Sequence, residues 1–269
     1  MKIGNREFKE AGHTYIMGIL NVTPDSFSDG GKFNQMDAAL KHAEEMIRDG
    51  ADILDIGGES TRPGYTKISD EEEISRVVPV IEAVKKEFDI PVSVDTYKSG
   101  VAEAAAKAGA DLINDIWGLK YDERMAKVIA ESGLACCLMH NRDKAAYENF
   151  MEDMKNDLRE TVALAKAAGI AEDKIILDPG VGFGKSYENN LEAIAQLKQL
   201  KELGYPVLLG TSRKSVVGLT LDLPAAERVE GTLVTSVFGV QAGCMFVRVH
   251  DVKENARAIR MTEAILRFA

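Results

Sequence analysis

Two kinds of stretch alternate along this chain. Short runs of Ile, Val, Leu and Met recur, and each gives way to a longer stretch with apolar residues at helical spacing. A short continuous apolar run bounded by turn residues reads as a strand buried on both faces, and the longer spacing reads as amphipathic helix. In order, the strands are Tyr15–Leu20, Ile53–Ile56, Pro91–Val94, Asp111–Ile113, Leu134–Met139, Lys174–Leu177, Pro206–Leu209 and Met245–Val249. The helices run from about Asp37 to Asp49, Asp70 to Phe88, Ser99 to Ala108, Tyr121 to Ser132, Asn149 to Ala168, Glu188 to Leu203, Pro224 to Ala242 and Val252 to Phe268. Fully apolar strands alternating with helices predict a parallel sheet covered by helices. Eight such units in 269 residues fit a single (β/α)8 TIM barrel better than an open doubly wound sheet. The first strand is not followed by the Gly-x-Gly-x-x-Gly turn of a dinucleotide fold. With no linker or low-complexity tract, residues 1–269 read as one domain.

In such a barrel the chemistry stands at the C-terminal ends of the strands. Every apolar run here ends in polar residues. They are Asn21; Thr61 and Arg62 in the loop after the second strand; Asp95; Asn114 and Asp115; Met139 and His140; Asp178; Ser212 to Ser215; and Arg248 with His250. The sixth strand carries the most distinctive stretch, Asp178-Pro-Gly-Val-Gly-Phe-Gly-Lys185. An acid at a strand end, followed by a loop of Gly and Pro, describes a ligand mouth, because these residues permit tight turns and close backbone approach. Asn21 to Gly31 is long and polar for a βα connection and reads as a binding loop.

These groups divide chemically. Asp95, Asn114 and Asp178, with Met139 beside them, suit a flat heterocycle with several N–H donors, since a carboxylate accepts two such bonds. The alternative is a divalent-metal cluster, although whole βα units separate the acids. Arg62, Lys214, Arg248 and His250 form a basic group. With the Thr211–Ser215 turn opening a helix, they read as an anion or phosphate site. For Arg62 a surface salt bridge is the competing reading.

Composition narrows the partners. A net charge of −10, from 33 basic and 43 acidic residues, argues against nucleic acid and anionic membranes. No apolar run reaches the length of a membrane span, and the N-terminus lacks a signal core. Cys136, Cys137 and Cys244 sit in apolar runs without metal-ligand spacing, so they read as reduced core residues of a cytoplasmic protein rather than catalytic thiols.

Taken together, the motifs resemble the dihydropteroate synthase family. They are Asn21-Val-Thr-Pro-Asp-Ser-Phe-Ser-Asp-Gly-Gly31, Gly57-Gly-Glu-Ser-Thr-Arg-Pro-Gly64, Ser93-Val-Asp-Thr96, Ile113-Asn-Asp115, the Asp178 loop, Gly210-Thr-Ser-Arg-Lys-Ser215 and Arg248-Val-His-Asp251. They span nearly the whole chain, in the family's order. The resemblance implies condensation of a dihydropterin-methyl diphosphate with para-aminobenzoate, a Mg²⁺ requirement, a homodimer and sensitivity to sulfonamides as a class. It assigns Asp95, Asn114, Asp178 and Lys214 to the pterin, Thr61, Arg248 and His250 to the diphosphate, and Asn21 to Mg²⁺. Phe27, Pro63, Phe183, Lys214 and Ser215 would hold para-aminobenzoate. Asp95, Asp178, Lys214 and Arg248 would form the catalytic set. The chain departs from the family's pattern at Asn141-Arg142-Asp143 and at Val216, where an aromatic is common. Two rival readings are a methyltetrahydrofolate-dependent methyltransferase domain and a silent pterin-binding paralogue. The first would not need the Ser-Arg-Lys-Ser turn together with Arg-x-His. The second would have lost Asn21, Asp29 or Lys214, all of which are present.

Overall fold

A computed structural model describes residues 1–9, 12–23, 32–60 and 66–269, with backbone alone at 32–34. The chain opens with a small antiparallel hairpin, β1 (Lys2–Ile3) and β2 (Arg6–Glu7), which the apolar pattern did not anticipate. Eight parallel strands follow: β3 (Tyr15–Asn21), β4 (Ile53–Gly57), β5 (Val92–Asp95), β6 (Leu112–Asp115), β7 (Ala135–Met139), β8 (Ile175–Asp178), β9 (Leu208–Leu209) and β10 (Phe246–Val249). Neighbours run β8-β7-β6-β5-β4-β3-β10-β9. A parallel bridge between Leu177 and Val207, with Leu177 N donating to Pro206 O at 2.9 Å, joins the two ends. The result is the (β/α)8 barrel that the sequence pattern predicts.

Around it stand α1 (Lys32–Asp49), α2 (Asp70–Glu87), α3 (Ser99–Lys107), α4 (Met125–Ser132), α5 (Phe150–Ala167), α6 (Tyr187–Ala195), α7 (Ser215–Leu221), α8 (Val229–Ala242) and α9 (Val252–Leu266). The Ser69 side chain accepts from Glu72 N at the start of α2, where four acids complement the helix dipole. Two readings of the pattern are corrected. The stretch from Glu188 to Leu203 is not one helix: α6 ends at Ala195 and Leu197–Leu203 is 3₁₀. The stretch from Pro224 to Ala242 is also interrupted: Ala225–Glu227 is 3₁₀ and α8 starts only at Val229. The helix that the Thr211–Ser215 turn opens is the short α7, which ends at Leu221 before Asp222, whose φ is 54°, and the Arg228 guanidinium then takes the carbonyls of Leu223 and Arg213 at 2.8 and 2.9 Å. A seven-residue helix with Gly218 inside it carries little local signal.

Strand side chains alternate between the two faces. Leu54, Ile56, Val92, Val94, Ile113, Leu138, Ile175 and Leu177 face outward into a core shared with the helices. Met17, Ile53, Leu112, Cys137, Ile176, Leu208 and Phe246 face inward, where Ile3 and Phe8 of the N-terminal segment plug the lower end. Ile53, Leu112 and Phe246 are fully buried, and each stabilises the fold by about 1.5–3 kcal/mol. The three cysteines are buried and unpaired, and burial pushes their thiols upward, Cys244 to about 12. They carry no nucleophile's environment.

Candidate active site

The inward parity that fills the lower barrel with Ile and Phe turns polar two residues further along four of the strands. Asp55 follows Ile53, Asn114 follows Leu112, Asp178 follows Ile176 and Arg248 follows Phe246, while Ser93 and Asp95 alternate with the outward Val92 and Val94. Register sets Asn21, Gly57, Asp95 and Asn114 in one row across β3 to β6, and pairs Met139 with Asp178.

Arg248 ties this layer together. Its Nε donates to Asp55 Oδ2 and one terminal nitrogen donates to Asp95 Oδ2, both at 2.6 Å. Asn114 Nδ2 donates to the same Asp55 oxygen at 3.3 Å. Asp55 Oδ1, Asp95 Oδ1 and Ser93 Oγ are buried without a hydrogen-bond partner among the described residues. Burial raises Asp95 to about 7 against the opposing pull of Arg248. The guanidinium is itself disfavoured by burial, but the two carboxylates hold it above the usual arginine range.

Asp178 and Lys214 stand beside this group. A Cβ on Gly210 would lie 3.6 Å from Asp178 Oδ2 and 3.8 Å from both Lys214 Nζ and Arg248 Cβ, so the bare glycine lets the three converge. Burial pushes Lys214 down to about 8 and raises Asp178, with each charge opposing the shift of the other. Lys214 Nζ donates to Val181 O at 2.5 Å and lies 4.7 Å from the centroid of the Phe183 ring. Met139 packs with Tyr97, Ile116 and Phe183 along the wall.

Other sequence candidates have different environments. Asp115 does not face the mouth with Asn114. It accepts from Trp117 N and Leu119 N at 2.8 and 2.7 Å and holds the turn after β6. His140 is buried against Asp157 and Lys185 rather than beside His250. The His250 ring meets Ser212 Oγ at 2.9 Å. Arg213, at φ 58°, forks onto Asp251, so it serves the turn rather than an anion. Ser215 is exposed at the start of α7. Phe27, Thr61, Arg62 and Pro63 lie outside the described residues.

Sequence reasoning missed two residues. Asp55 lies mid-strand, and a carboxylate inside a buried apolar run was the signal for it. Glu59 belongs to the Gly57–Gly64 motif. It accepts from Lys98 Nζ, Tyr97 OH and Ile68 N at 2.8, 2.5 and 2.8 Å, which ties the end of β4 to the entry of α2.

A metal would meet oxygen donors here. A Cβ on Gly57 would lie 3.6 Å from Asn21 Oδ1 and 3.8 Å from Asp95 Oδ2. No group of three or more His, Cys, Asp or Glu with metal-ligand geometry occurs among the described residues. One amide oxygen near a carboxylate fits Mg²⁺, which keeps its waters and takes substrate phosphates with only one or two protein ligands. It does not fit a dedicated cage such as structural zinc requires.

A sequence model of the family described as pterin binding enzyme matches residues 17–250. The chain is 64% identical over 268 residues to the dihydropteroate synthase of Clostridium beijerinckii, covering 99% of this chain and all of that one. It superposes on the dihydropteroate synthase of Clostridium difficile, crystallised in the presence of pteroic acid, with a TM-score of 0.93, 52% identity and 99% coverage of both chains. The Yersinia pestis enzyme in complex with a sulfonamide drug gives a TM-score of 0.93 at 43% identity, covering 100% of this chain and 99% of that one.

Proposed function

The chain belongs to the pterin-binding enzyme family and within it to the dihydropteroate synthases, and we propose how its residues divide the condensation of 7,8-dihydropterin-6-ylmethyl diphosphate with para-aminobenzoate. Asp95, Asn114 and Asp178 receive the pterin edge, with Met139 along the ring. The observation that carries this assignment is the buried, unpartnered Oδ1 of Asp95 beside a converged Asp178 and Lys214. Ring N–H groups supply donors to acceptors that burial has left short of them. Lys214 adds a donor for an acceptor on the ring.

The reaction asks little covalent chemistry of the protein. The C–O bond to the diphosphate breaks, and the electron pair leaves with the diphosphate. The methylene cation that remains draws electrons from the pterin and lies against Asp95 and Asp178, whose charge opposes its own. The arylamine nitrogen then forms the new C–N bond and loses a proton to solvent. No side chain acts as nucleophile. Arg248 donates to Asp55 and Asp95, and with Thr61 and His250 supplies positive charge or donors for the departing diphosphate. Asn21 would hold Mg²⁺, which when bound shares the negative charge on that leaving group. Phe183, Ser215, Phe27, Pro63 and the Lys214 stem frame the arylamine, and Arg62 joins the basic group for the diphosphate. Since the Yersinia pestis relative is known with a sulfonamide, we read the same frame as the place where such a drug would compete.

Residues 1–269 serve as one domain in this reading, the compartment is cytoplasmic, and the working unit is a homodimer. Leu219, Val234 and Phe238 expose 68%, 57% and 46% of their surface on α7 and α8, an apolar face that a second copy would cover. Among the described residues no helix is long and apolar enough to cross a membrane. The decisive experiment incubates the protein with dihydropterin diphosphate, para-aminobenzoate and Mg²⁺. Dihydropteroate and diphosphate in equal amounts support the reading. Pterin binding without either product would favour a silent pterin-binding protein.

A further inference from the structure

His140 and Lys185 are the strand-end histidine and the last residue of the Asp178 loop, and the reaction above uses neither. They form a half-buried polar cluster behind that loop, in which His140 itself is buried. Lys185 Nζ donates to Gly180 O and Phe183 O, both at 3.0 Å, and lies 2.8 Å from His140 Nδ1. His140 Nε2 meets Asp157 Oδ2 at 2.9 Å, and Arg142 forks onto the same carboxylate at 2.6 and 3.1 Å. Tyr147 OH adds a bond to Gly184 O at 2.7 Å.

The protonation pattern follows from the partners. Burial pushes Lys185 down to about 7, with Asp178 and Asp157 opposing that shift. As an ammonium it has three N–H groups and no lone pair, and in that state His140 Nδ1 is the acceptor. The imidazole proton then sits on Nε2 and points to Asp157. A protonated His140 would set one N–H against another. Burial pushes His140 down to about 4, which agrees with a neutral ring. Donation therefore runs one way, from Lys185 through His140 to Asp157.

The loop itself cannot hold its shape from sequence alone. Gly180 and Gly184 have φ of 67° and 54°, and a Cβ on Gly180 would lie 1.9 Å from His140 O. Glycine-rich backbone in this region has many alternatives to lose on ordering. Two lysines grip it from opposite sides. Lys214, on the ligand side, takes Val181 O. Lys185, on the His140 side, takes the carbonyls of Gly180 and Phe183, one residue before Val181 and two after it.

Resting on the reading of Phe183 as a wall of the arylamine site, we propose that Lys185 is a positioning residue for the reaction. Braced through His140 on Asp157, it fixes where the Phe183 ring stands. It touches neither substrate. Asp178 and Asn114 are held by strand pairing, so the pterin contacts depend less on this brace than the arylamine wall does.

Steady-state kinetics of the full-length protein test this. Lys185→Met keeps the length and loses the donors. It should raise KM for para-aminobenzoate about tenfold and move KM for the pterin diphosphate less than about twofold, because a small displacement of a positioning group costs rate and affinity steeply. His140→Leu should behave the same way. His140→Asn, which restores an acceptor near Nδ1, should recover most of the loss. The double variant Lys185→Met with His140→Leu should be no worse than either alone, as expected of one linked unit. If Lys185→Met fails to fold, the His140→Leu and His140→Asn pair decides by itself. Phe183→Ala is the reference. If it raises the arylamine KM and the brace variants do not, the brace is wrong and the site reading stands. If Phe183→Ala leaves that KM unchanged, the site reading has failed first. Equal rises in both KM values would make the cluster general support for the barrel end and overturn the proposal.

Discussion

Arg248 Nε donates to Asp55 Oδ2 at 2.6 Å, although 193 residues separate the two and β3 lies between their strands. The same guanidinium reaches Asp95 Oδ2, so one cation on β10 ties one oxygen of each of two acids on β4 and β5. This arrangement makes the floor of the mouth one linked unit, a single cation shared by two acids, rather than a set of independent ligands.

Removing one member should therefore cost stability as well as binding. Asp55→Ala is expected to destabilise the fold by about 3–5 kcal/mol, the usual effect of breaking a buried pair. Asp55→Asn, which still accepts from Arg248, should cost less. Urea unfolding of both variants beside the parent checks the order. Equal stability of all three would mean that the pair contributes nothing.

Arg248→Lys keeps one charge but replaces a planar fork with a point. A single ammonium cannot repeat both contacts with the fork's geometry. With Asp95 assigned to the pterin as proposed, a pterin without diphosphate should bind more weakly, along with the diphosphate ester. Paired titrations distinguish this from a pure leaving-group grip, for which the free pterin would bind as it does to the parent.

At Asp178, exchange for Asn sets an NH₂ group where an acceptor faced the ligand. Pterin affinity should fall by about 2–4 kcal/mol, from a lost charge-assisted bond and a donor opposing a donor. Asp178 Oδ1 also accepts from Gly180 N at 2.6 Å, so melting should shift modestly. Calorimetry with a pterin ligand, beside a thermal melt, separates the two effects.

The His140 cluster predicts an acid-side signature. Burial moves His140 from the ordinary 6.5 down to about 4 in the fold. Between those values the unfolded chain binds the proton and the folded one does not, so this group's contribution to stability rises with pH across that window. Asp157 acts in the same sense at lower pH. Burial raises it, but His140 and Arg142 outweigh that and hold it well below the usual carboxylate range, so its stabilisation is lost only as pH falls further. The raised Asp95 and Asp115 pull the other way, so a difference measurement is needed. The melting temperature of the parent minus that of His140→Asn should increase from pH 4 to 6.5. A flat difference would remove His140 from the balance.

Asn21→Ala should raise the Mg²⁺ concentration for half-maximal turnover about tenfold, as loss of one oxygen ligand does at a weakly held cation. Its melting temperature in chelator should match the parent's. Unchanged metal dependence would move the ion elsewhere.

By itself the sequence determined the βα repeat, the barrel and the level at which the chemistry collects. Those follow from local rules: a run of Ile and Val buries both faces, and a strand places alternate residues on one side. The strand-end positions of Asp95, Asn114 and Asp178 were legible because strand ends are marked by where apolar runs stop. Tertiary structure alone decided the rest. Asp55 counts as floor, and Asp115 as a turn holder, only once strand register fixes which residues share a row. Arg248 reads as an open anion grip in the chain and as a tied cation in the fold, because its two acids arrive from β4 and β5. His140, Lys185 and Asp157 become one brace only when β7, α5 and the Asp178 loop pack together. Pairings of this kind depend on the stagger of the barrel, a property of all eight strands at once, and no local window of the sequence encodes it.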